Sequence, residues 1–271
     1  MSKYLTVNFF SSPVVHNNAR GESDGNLVKL QTIILNDTAR TIISGECIRY
    51  AIREELSALL GETRMFRHSN ATEANSGYGY GPENDTSLNK ALAKHKDELG
   101  KYVDVKLFGT MCAENKNIVK TRSNILVSRA ISMTNFEGVT IFTQGINGKD
   151  GAMAPYNQQI HGTRYQYHIT FDVEAVEKEL IEALLKVCFA GLRVGGNHAR
   201  NDMNLIPEMA VWRFYNTPGG SGLYAPHITC GDKLDISEYI NILENRCVDF
   251  NIAGDGKIKI GQAADKIISE I

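Results

Sequence analysis

The residues best suited to chemistry lie in one polar loop, residues 194–201 (Val-Gly-Gly-Asn-His-Ala-Arg-Asn). Adjacent glycines at 195 and 196 let a backbone pass close to another molecule or adopt a positive φ angle. Side chains that donate hydrogen bonds to anions or bases follow them: Asn197, His198 and Arg200. The loop therefore favours contact with a polyanion. The alternative is that Gly195 and Gly196 only close the preceding helix.

A second candidate anion site is the start of a predicted helix at Ser44 and Gly45. The free N–H groups and the positive end of a helix attract an anion, and Arg49 and Arg53, one turn apart, add charge. In the alternative interpretation Ser44 is only an N-cap. The two arginines then form a solvated face that pairs with the glutamates following them.

A third basic segment runs from Lys116 to Arg129 and contains no acidic residue. Its cations are Lys116, Lys120, Arg122 and Arg129. Such a run is usually a solvated face, but the neighbouring Thr121, Ser123 and Asn124 are typical phosphate-contacting partners. The three basic or amide-rich segments therefore predict one surface for a phosphate backbone.

Catalytic and metal-binding patterns are not found in the sequence. The seven histidines are dispersed, and there is no Gly-x-Ser-x-Gly, Walker A or His-Glu-x-x-His motif. His161 and His168 are more simply structural. Asp24 is the one candidate for metal-assisted RNA cleavage, but it has no partner carboxylate nearby. We therefore expect no catalytic residue, no bound metal and no cofactor.

Two regions between the regular elements are polar. Residues 61–100 are rich in Asn, Ser, Gly and Glu, which predicts an inserted lobe. Residues 144–163 carry several glycines and predict a long hairpin or arm. This arm is either disordered or projects Met153 or Tyr156 as a wedge into a stack of bases.

The elements that position these residues follow from hydrophobic periodicity. Strands are predicted at 3–10, 28–35, 102–111, 124–133, 138–143, 165–171 and 208–215, and helices at 45–60 and 173–190. The core order is strand, helix, strands, helix, strand. This order predicts an α+β, ferredoxin-like (RRM-like) skeleton, with an antiparallel sheet and both helices on one face.

Composition limits the cellular context. The chain has 271 residues and a net charge of −2, so bulk charge does not indicate nucleic-acid binding and local basic clusters must supply it. The five scattered cysteines form neither a disulfide framework nor a zinc site, and Cys47 and Cys188 are expected as reduced thiols in helices. No apolar run reaches membrane-spanning length and no signal peptide is present, so a cytoplasmic protein is expected.

Four motifs in order resemble the Cas-seven family. They are Ile-Ser-Gly-Glu-Cys-Ile-Arg-Tyr-Ala-Ile-Arg-Glu at 43–54, Asp-Val-Lys-Leu-Phe-Gly-Thr-Met at 104–111, Val-Ser-Arg-Ala-Ile-Ser-Met at 127–133 and Arg-Val-Gly-Gly-Asn-His-Ala-Arg at 193–200. This DevR-like group supplies the repeated backbone subunits of type I CRISPR surveillance complexes (Cascade). The type I-B branch is the most similar, and the resemblance covers nearly the whole chain.

The resemblance implies a hand-shaped single domain over residues 1–271. Its RRM-like palm would comprise about 1–60, 101–133 and 163–271, its fingers lobe about 61–100 and its thumb β-hairpin about 134–162. Family members stack as a helical filament along the guide RNA (crRNA), and a neighbour's thumb flips out a base at regular intervals. Pairing between guide and target then reads the sequence, while the protein recognises backbone and shape.

The resemblance also implies the residues at the interface. The expected RNA-binding residues are Asn17, Asn18, Arg20, Ser44, Gly45, Arg49, Arg53, Lys106, Met111, Lys120, Arg122, Gly195, Gly196, Asn197, His198 and Arg200, with Met153 and Tyr156 at the thumb. The expected partners are the crRNA guide, target DNA through the guide, further copies of the chain and other Cascade subunits. No membrane partner is expected.

Two relatives of the same superfamily remain as alternatives. A type III backbone subunit would cleave target RNA with metal ions through Asp24. A guide-processing endonuclease would need a catalytic histidine and two such lobes, whereas this chain offers one lobe with insertions. A non-catalytic, oligomerising RNA-binding subunit is the preferred prediction, and it fits recruitment of a nuclease-helicase or of a transposition machinery equally well.

Overall fold

The computed structural model describes residues 4–16, 23–69, 78–114, 117–146, 153–194, 203–216, 228, 230–231, 233–246 and 248–271. Its α-helices are α1 Gly45–Leu60, α2 Leu88–Lys94, α3 Val103–Phe108, α4 Lys178–Ala190, α5 Ser237–Asn245 and α6 Ala263–Glu270. Short 3₁₀ helices cover Glu62–Arg64, Leu99–Lys101 and Ile260–Gln262.

The first strands are β1 Tyr4–Ser11, β2 Val14–His16, β3 Ser23–Asp24, β4 Leu27–Val28, β5 Thr32–Leu35, β6 Thr38–Ile43, β7 Arg67–Ser69, β8 Tyr78–Tyr80, β9 Thr110–Glu114 and β10 Asn117–Thr121. They are followed by β11 Ile125–Val127, β12 Ala130–Ser132, β13 Thr140–Ile146, β14 Met153–Gln159, β15 His161–Thr163, β16 Tyr165–Asp172, β17 Leu192–Arg193, β18 Asn204–Leu205, β19 Pro207–Tyr215 and β20 Asn251–Ala253. The chain is a mixed α+β protein, as predicted.

The main sheet is antiparallel and has the order β20-β19-β1-β16-β12-β6-β5, with β11 also pairing with β16. Side chains alternate between its faces because successive strand residues point to opposite sides. Leu5, Val7 and Phe9 face the largest hydrophobic cluster, to which α1 and α4 both contribute. The expectation that both helices cover one face of an antiparallel sheet is confirmed.

The opposite face of the sheet carries a second cluster. Phe10 and Val211 alternate with the residues of the first cluster and pack against Tyr239 of α5. Asn8 on this face donates a hydrogen bond from Nδ2 to the Tyr239 hydroxyl at 2.9 Å. The sheet is therefore covered on both faces, by α1 and α4 on one side and by α5 on the other.

Two smaller units extend from the main sheet. A third cluster contains Phe66, Ala91, Leu92, Leu99, Tyr102 and Val105, so it continues past the predicted fingers boundary at residue 100. The β13–β14 hairpin joins the early segment through a parallel pairing of β14 with β4, in a sheet of order β13-β14-β4-β3. The hairpin expected in the 144–163 arm is confirmed, whereas the domain boundaries stay a prediction.

Most predicted elements form, and several differ. The strands predicted at 28–35 and 124–133 are each interrupted, into β4 with β5 and into β11 with β12. The strand predicted at 102–111 is wrong, because residues 103–108 form α3 and β9 begins only at Thr110. The helix predicted from 173 begins at Lys178. Asp172 Oδ1 accepts hydrogen bonds from the backbone N–H groups of Glu174 and Ala175, and this turn takes the place of a first helical turn.

Candidate nucleic-acid interface

The N-terminus of α1 packs closely against the strand segment that ends β11. Ser44 precedes the helix, and its Oγ accepts a hydrogen bond from the Cys47 N–H at 3.1 Å, so Ser44 is an N-cap. A Cβ built on Gly45 would lie 2.9 Å from the carbonyl oxygen of Val127 and 3.5 Å from that of Ser128. Gly45 is therefore required for this close approach. The first turn of α1 and the 127–128 backbone form one surface.

Ser128 and Arg129 form an interruption between β11 and β12, two strands that both pair with β16. Ser128 N–H donates to the His168 carbonyl at 3.0 Å, and its Oγ accepts from the His168 N–H at 2.9 Å. These bonds hold the interruption against the sheet. Arg129 follows Ser128 in the chain and is exposed.

The Gly-Gly loop begins and ends beside the same helix terminus. Cys47 Sγ donates to the Val194 carbonyl at 3.1 Å, and Val194 N–H donates to the Met203 carbonyl at 3.0 Å. Both ends of the 195–202 segment are thereby fixed near α1. The predicted contacts in this segment, Gly195, Gly196, Asn197, His198 and Arg200, lie outside the described residues.

The alternative role of the two glycines as a helix closure is wrong. The helix α4 ends at Ala190, and Gly191 with φ +104° occupies the C-cap position. A Cβ on Gly191 would lie 2.5 Å from Asn204 Oδ1, so this position also needs glycine for packing. The helix therefore has its closing residue before the Gly-Gly pair.

Arg53 is not the exposed cation that the sequence suggested. Its side chain is 12% exposed, its Nε lies 3.5 Å from Asp104 Oδ2, and its guanidinium stacks over the Phe108 ring at 4.9 Å from the centroid. Asp104 is buried and also accepts the backbone N–H groups of Phe66 and Arg67 at 2.7 and 3.1 Å. The Arg53 guanidinium is therefore engaged within the protein, and its alternative as a solvated face is wrong.

Arg49 and Lys106 lie in different surroundings. Arg49 is half-buried, and its Nε has no hydrogen-bond partner among the described residues. Lys106 lies on α3 and forms an ion pair with Glu177, which precedes α4. The hydrogen bond from the Lys106 ammonium holds the pKa of the Glu177 carboxyl below its usual value. The ammonium of Lys106 is therefore already engaged within the protein.

The β9–β10 hairpin brings two predicted contacts together. Met111 and Lys120 are directly opposite each other across the antiparallel pair, and both are exposed, Met111 at 67%. Arg122 follows the hairpin and is also exposed. A Cβ on Gly109 would lie 2.6 Å from the Thr121 carbonyl oxygen, so the hairpin base is tightly closed. Met111, Lys120 and Arg122 thus belong to one surface.

Charge is distributed unevenly among the basic residues. Arg53 and Lys106 pair with acids, and Arg193 pairs with Glu55 at 2.8 Å. By contrast, Lys120, Arg122 and Arg129 form no ion pair within the described part of the chain. The charges of these three exposed cations are therefore available to a polyanion.

The remaining predicted contacts lie at the early loop and the thumb. Asn17, Asn18 and Arg20 lie outside the described residues. Met153 and Tyr156 occupy β14, opposite Ile146 and Thr143, but their side chains also lie outside the described set.

Asp24 and the histidines have defined surroundings. Asp24 is 75% exposed and pairs with Lys29 Nζ at 2.9 Å, which holds the pKa of its carboxyl below the usual value. His161 bonds Thr41 and Thr134 through its two ring nitrogens, and burial lowers its pKa. Burial lowers the pKa of His168 to about 4. Among the described residues, no three His, Cys, Asp or Glu side chains are grouped to hold a metal ion.

Comparison with known proteins identifies the family. The family model described as CRISPR-associated negative auto-regulator DevR/Csa2 matches residues 15–229. The chain belongs to the DevR/Csa2 family. A "CRISPR-associated protein Cas7/Cst2/DevR" of Myxococcus xanthus (strain DK1622) is 31% identical over 241 residues, covering 83% of this chain and 76% of that protein. The resemblance seen in the four motifs is therefore confirmed.

Solved structures share the fold of this DevR/Csa2 protein. A chain of a "CRISPR RNA-guided surveillance complex, pre-nicking" superposes with a TM-score of 0.67 at 13% identity, covering 98% of this chain and 99% of that one. A chain of a second "CRISPR RNA-guided surveillance complex" gives a TM-score of 0.62 at 13% identity, with the same coverage. At this identity the matches establish the fold.

Two residues of this DevR/Csa2 protein have surroundings that the sequence patterns do not predict. Arg129 belongs to the basic run but is not among the expected contacts, and the approach of α1 to the 127–128 backbone that precedes it is a tertiary feature. Asp104 lies in the 104–111 motif, which predicts no role for it, and in the structure Asp104 is the ion-pair partner of Arg53. The signal for Arg129 was present, because no acid lies near it in the sequence.

In the described part of the chain, no helix has the length and apolar character needed to cross a membrane. The cysteines Cys47, Cys188 and Cys230 are free thiols, as expected for the first two. Cys188 is completely buried, and burial raises the pKa of its thiol.

Proposed function

We propose that this chain is a crRNA-binding backbone subunit of a type I CRISPR surveillance (Cascade) complex, and that it oligomerises along the guide. Family membership supports the proposal, as do the solved structures with the same fold, which belong to RNA-guided surveillance complexes. Target DNA is recognised through pairing with the guide. We further propose that the complex is of the type I-B branch and acts in the cytoplasm. Within it the chain associates with other Cascade subunits.

The observation that carries the proposal is the convergence at the start of α1. The capped helix N-terminus, the Ser128–Arg129 interruption and both ends of the 195–202 segment meet there. Helix N-termini and exposed arginines both attract phosphate groups. The exposed Lys120 and Arg122 add uncompensated charge elsewhere on the chain. A guide backbone held by these groups is bound independently of its sequence.

The proposed architecture is a ferredoxin-like palm, a fingers lobe at about 61–100 and a thumb hairpin at about 134–162. Head-to-tail contacts between identical subunits produce an open helical array when the rotation does not close. A long guide would therefore organise several copies. In this role the subunit positions RNA and cleaves none.

The test measures binding of the full-length chain to RNAs of guide length and unrelated sequence. Replacing Lys120 and Arg129 by Glu should weaken binding about tenfold for every RNA sequence. The slope of log affinity against log salt concentration should decrease by the equivalent of about two phosphate contacts. The matched control replaces the exposed Lys178 and Lys257, which form no ion pair among the described residues, by Glu. Equal affinity and salt dependence in both double variants would contradict the placement.

The same samples test assembly and cleavage. Light scattering after size-exclusion chromatography should show a particle whose mass rises with RNA length while the RNA stays intact. RNA cleavage on addition of Mg²⁺ that is lost in Asp24→Ala would establish the type III alternative instead.

A further inference from the structure

Among the residues that the structure describes, the second hydrophobic cluster is incompletely covered at one edge. Its buried members include Phe10, Val211 and Tyr239, which lie between the main sheet and α5. Met209, Leu234, Ile240 and Ile252 pack against this cluster but are only half-buried. All four line a single open groove between α5 and the β19–β20 edge. Four of the six half-buried residues of this cluster therefore line that groove, and the other two, Val248 and Phe250, do not.

The groove has a volume of about 350 Å³ and an apolar floor. The buried Ile236 completes the floor, and Ser237 and Asn241 of α5 contribute polar groups to the wall. This volume is at the lower end of the range of small-ligand pockets in proteins. The groove is built from residues unrelated to the candidate nucleic-acid interface.

Three carboxylates surround this floor: Asp235, Glu244 and Asp255. Among the described residues, no lysine or arginine lines the groove and none of the three acids forms a salt bridge. Asp24, Asp104 and Glu177, by contrast, each pair with a cation. The charge at the groove is therefore uncompensated.

Two of these carboxylates are held in place by local hydrogen bonds. Asp235 Oδ1 accepts from the Ser237 N–H at 2.9 Å and from its hydroxyl at 2.6 Å, and these bonds keep the pKa of Asp235 below its usual value. Asp255 Oδ1 accepts from the Lys257 N–H at 3.0 Å. In the described part of the chain, each of these two acids thus bonds the protein through Oδ1 alone.

We propose that this groove docks a protein segment that presents apolar side chains flanked by lysine or arginine. The apolar floor accepts the hydrophobic side chains, and the three carboxylates attract the flanking cations. An RNA backbone is disfavoured there, because its phosphates would face uncompensated carboxylates at short range. The groove is therefore an interaction surface for a basic amphipathic segment of a partner protein.

The groove lies on the other side of the main sheet from α1. Phe10 and Val211 face α5, whereas Phe9 and Trp212 face the cluster to which α1 contributes. A segment in the groove and an RNA at the N-terminus of α1 would occupy opposite faces of one sheet. The docking proposal does not depend on the proposed guide binding. A protein segment in the groove and a guide RNA should therefore be able to bind one chain at the same time.

The experiment uses a fluorescent synthetic peptide of 14 residues, with leucines at helical spacing and lysines elsewhere. A second peptide has glutamate in place of every lysine. Anisotropy measured with the full-length chain should show binding of the lysine peptide and none of the glutamate peptide. Binding should persist when a guide-length RNA is added.

Substitutions locate the binding site. Glu244→Lys with Asp255→Lys should weaken binding of the lysine peptide at least tenfold, since both rim charges are reversed. The matched control, Glu62→Lys with Asp97→Lys, makes the same charge change at exposed residues of the 61–100 segment and should bind like the unmodified chain. Ile240→Asn tests the floor without a charge change and should also weaken binding, with its thermal unfolding measured to confirm folding.

Several results would overturn the proposal. Equal affinity in the rim and control variants would remove the groove from the binding site. Equal binding of the glutamate peptide would remove the charge argument. Loss of self-association in the rim variant would make the groove an interface between copies, and loss of RNA binding there would make it a nucleic-acid site.

Discussion

The ion pair between Arg53 and Asp104 predicts a large effect of removing one partner. Asp104 is 5% exposed and accepts two backbone N–H groups, at 2.7 Å from Phe66 and 3.1 Å from Arg67. Asp104→Ala leaves these donors and the Arg53 guanidinium without their acceptor. Breaking a buried pair in this way costs about 3–5 kcal/mol. Because Arg53 retains 12% exposure and reaches some water, we expect about 3 kcal/mol.

Arg53→Ala should cost less, about 2 kcal/mol, because the Asp104 carboxylate keeps its two backbone hydrogen bonds. The double variant should be more stable than the sum of the two single losses predicts. We expect a coupling of about 1–2 kcal/mol between two residues in direct contact. Asp97→Ala is the control, because this exposed carboxylate should change stability by less than about 0.5 kcal/mol.

The assay is urea unfolding of the four proteins in the cycle together with hydrogen exchange. The exchange of the Phe66 and Arg67 amides should accelerate in Asp104→Ala and stay unchanged in Asp97→Ala. A loss below about 1 kcal/mol in Asp104→Ala, or strict additivity in the double variant, would refute the reasoning. Either result would mean that the pair does not join α1 to the segment at Phe66.

Two further predictions concern packing and pH. Gly45→Ala should destabilise the fold by about 1–3 kcal/mol because its Cβ would meet the Val127 carbonyl at 2.9 Å; Gly100→Ala, with open space around its Cβ, should be neutral in the same unfolding assay. His168 has a pKa of about 4 in the folded chain and about 6.5 when unfolded, so the unfolded chain binds a proton first as pH falls. The free energy of unfolding should therefore decrease by up to about 3 kcal/mol between pH 6.5 and 4. If His168→Gln shows the same decrease in a pH series of unfolding measurements, His168 is not its cause.

The regular elements with clear periodicity were predictable. Ile48, Ile52 and Leu56 lie on one face of α1, and all three are buried as the helical period requires. Tyr165, Tyr167 and Ile169 alternate in β16 and are buried in the same way. In these segments the local pattern and the global fold agree, so the sequence was sufficient.

Periodicity failed at α3 for a physical reason. Val103, Val105 and Leu107 alternate as in a strand, yet they lie in a helix of six residues that is buried on several sides. A short element surrounded by protein has no exposed face, so its apolar pattern does not report its period. Asp104 also lies inside, where its carboxylate accepts backbone groups of a distant segment.

The sequence alone determined the residue types that a phosphate-binding surface needs: the capped start of α1, the basic 116–129 run and the Gly-Gly pair. It also determined the family through four motifs in order, because such motifs are carried by neighbouring residues. Only the tertiary structure decided which cations keep their charge for a partner. Arg53 and Lys106 pair with Asp104 and Glu177, whereas the exposed Arg129 forms no ion pair with a described residue. Ion pairs and burial depend on residues far apart in the chain, and a local pattern carries no information about them.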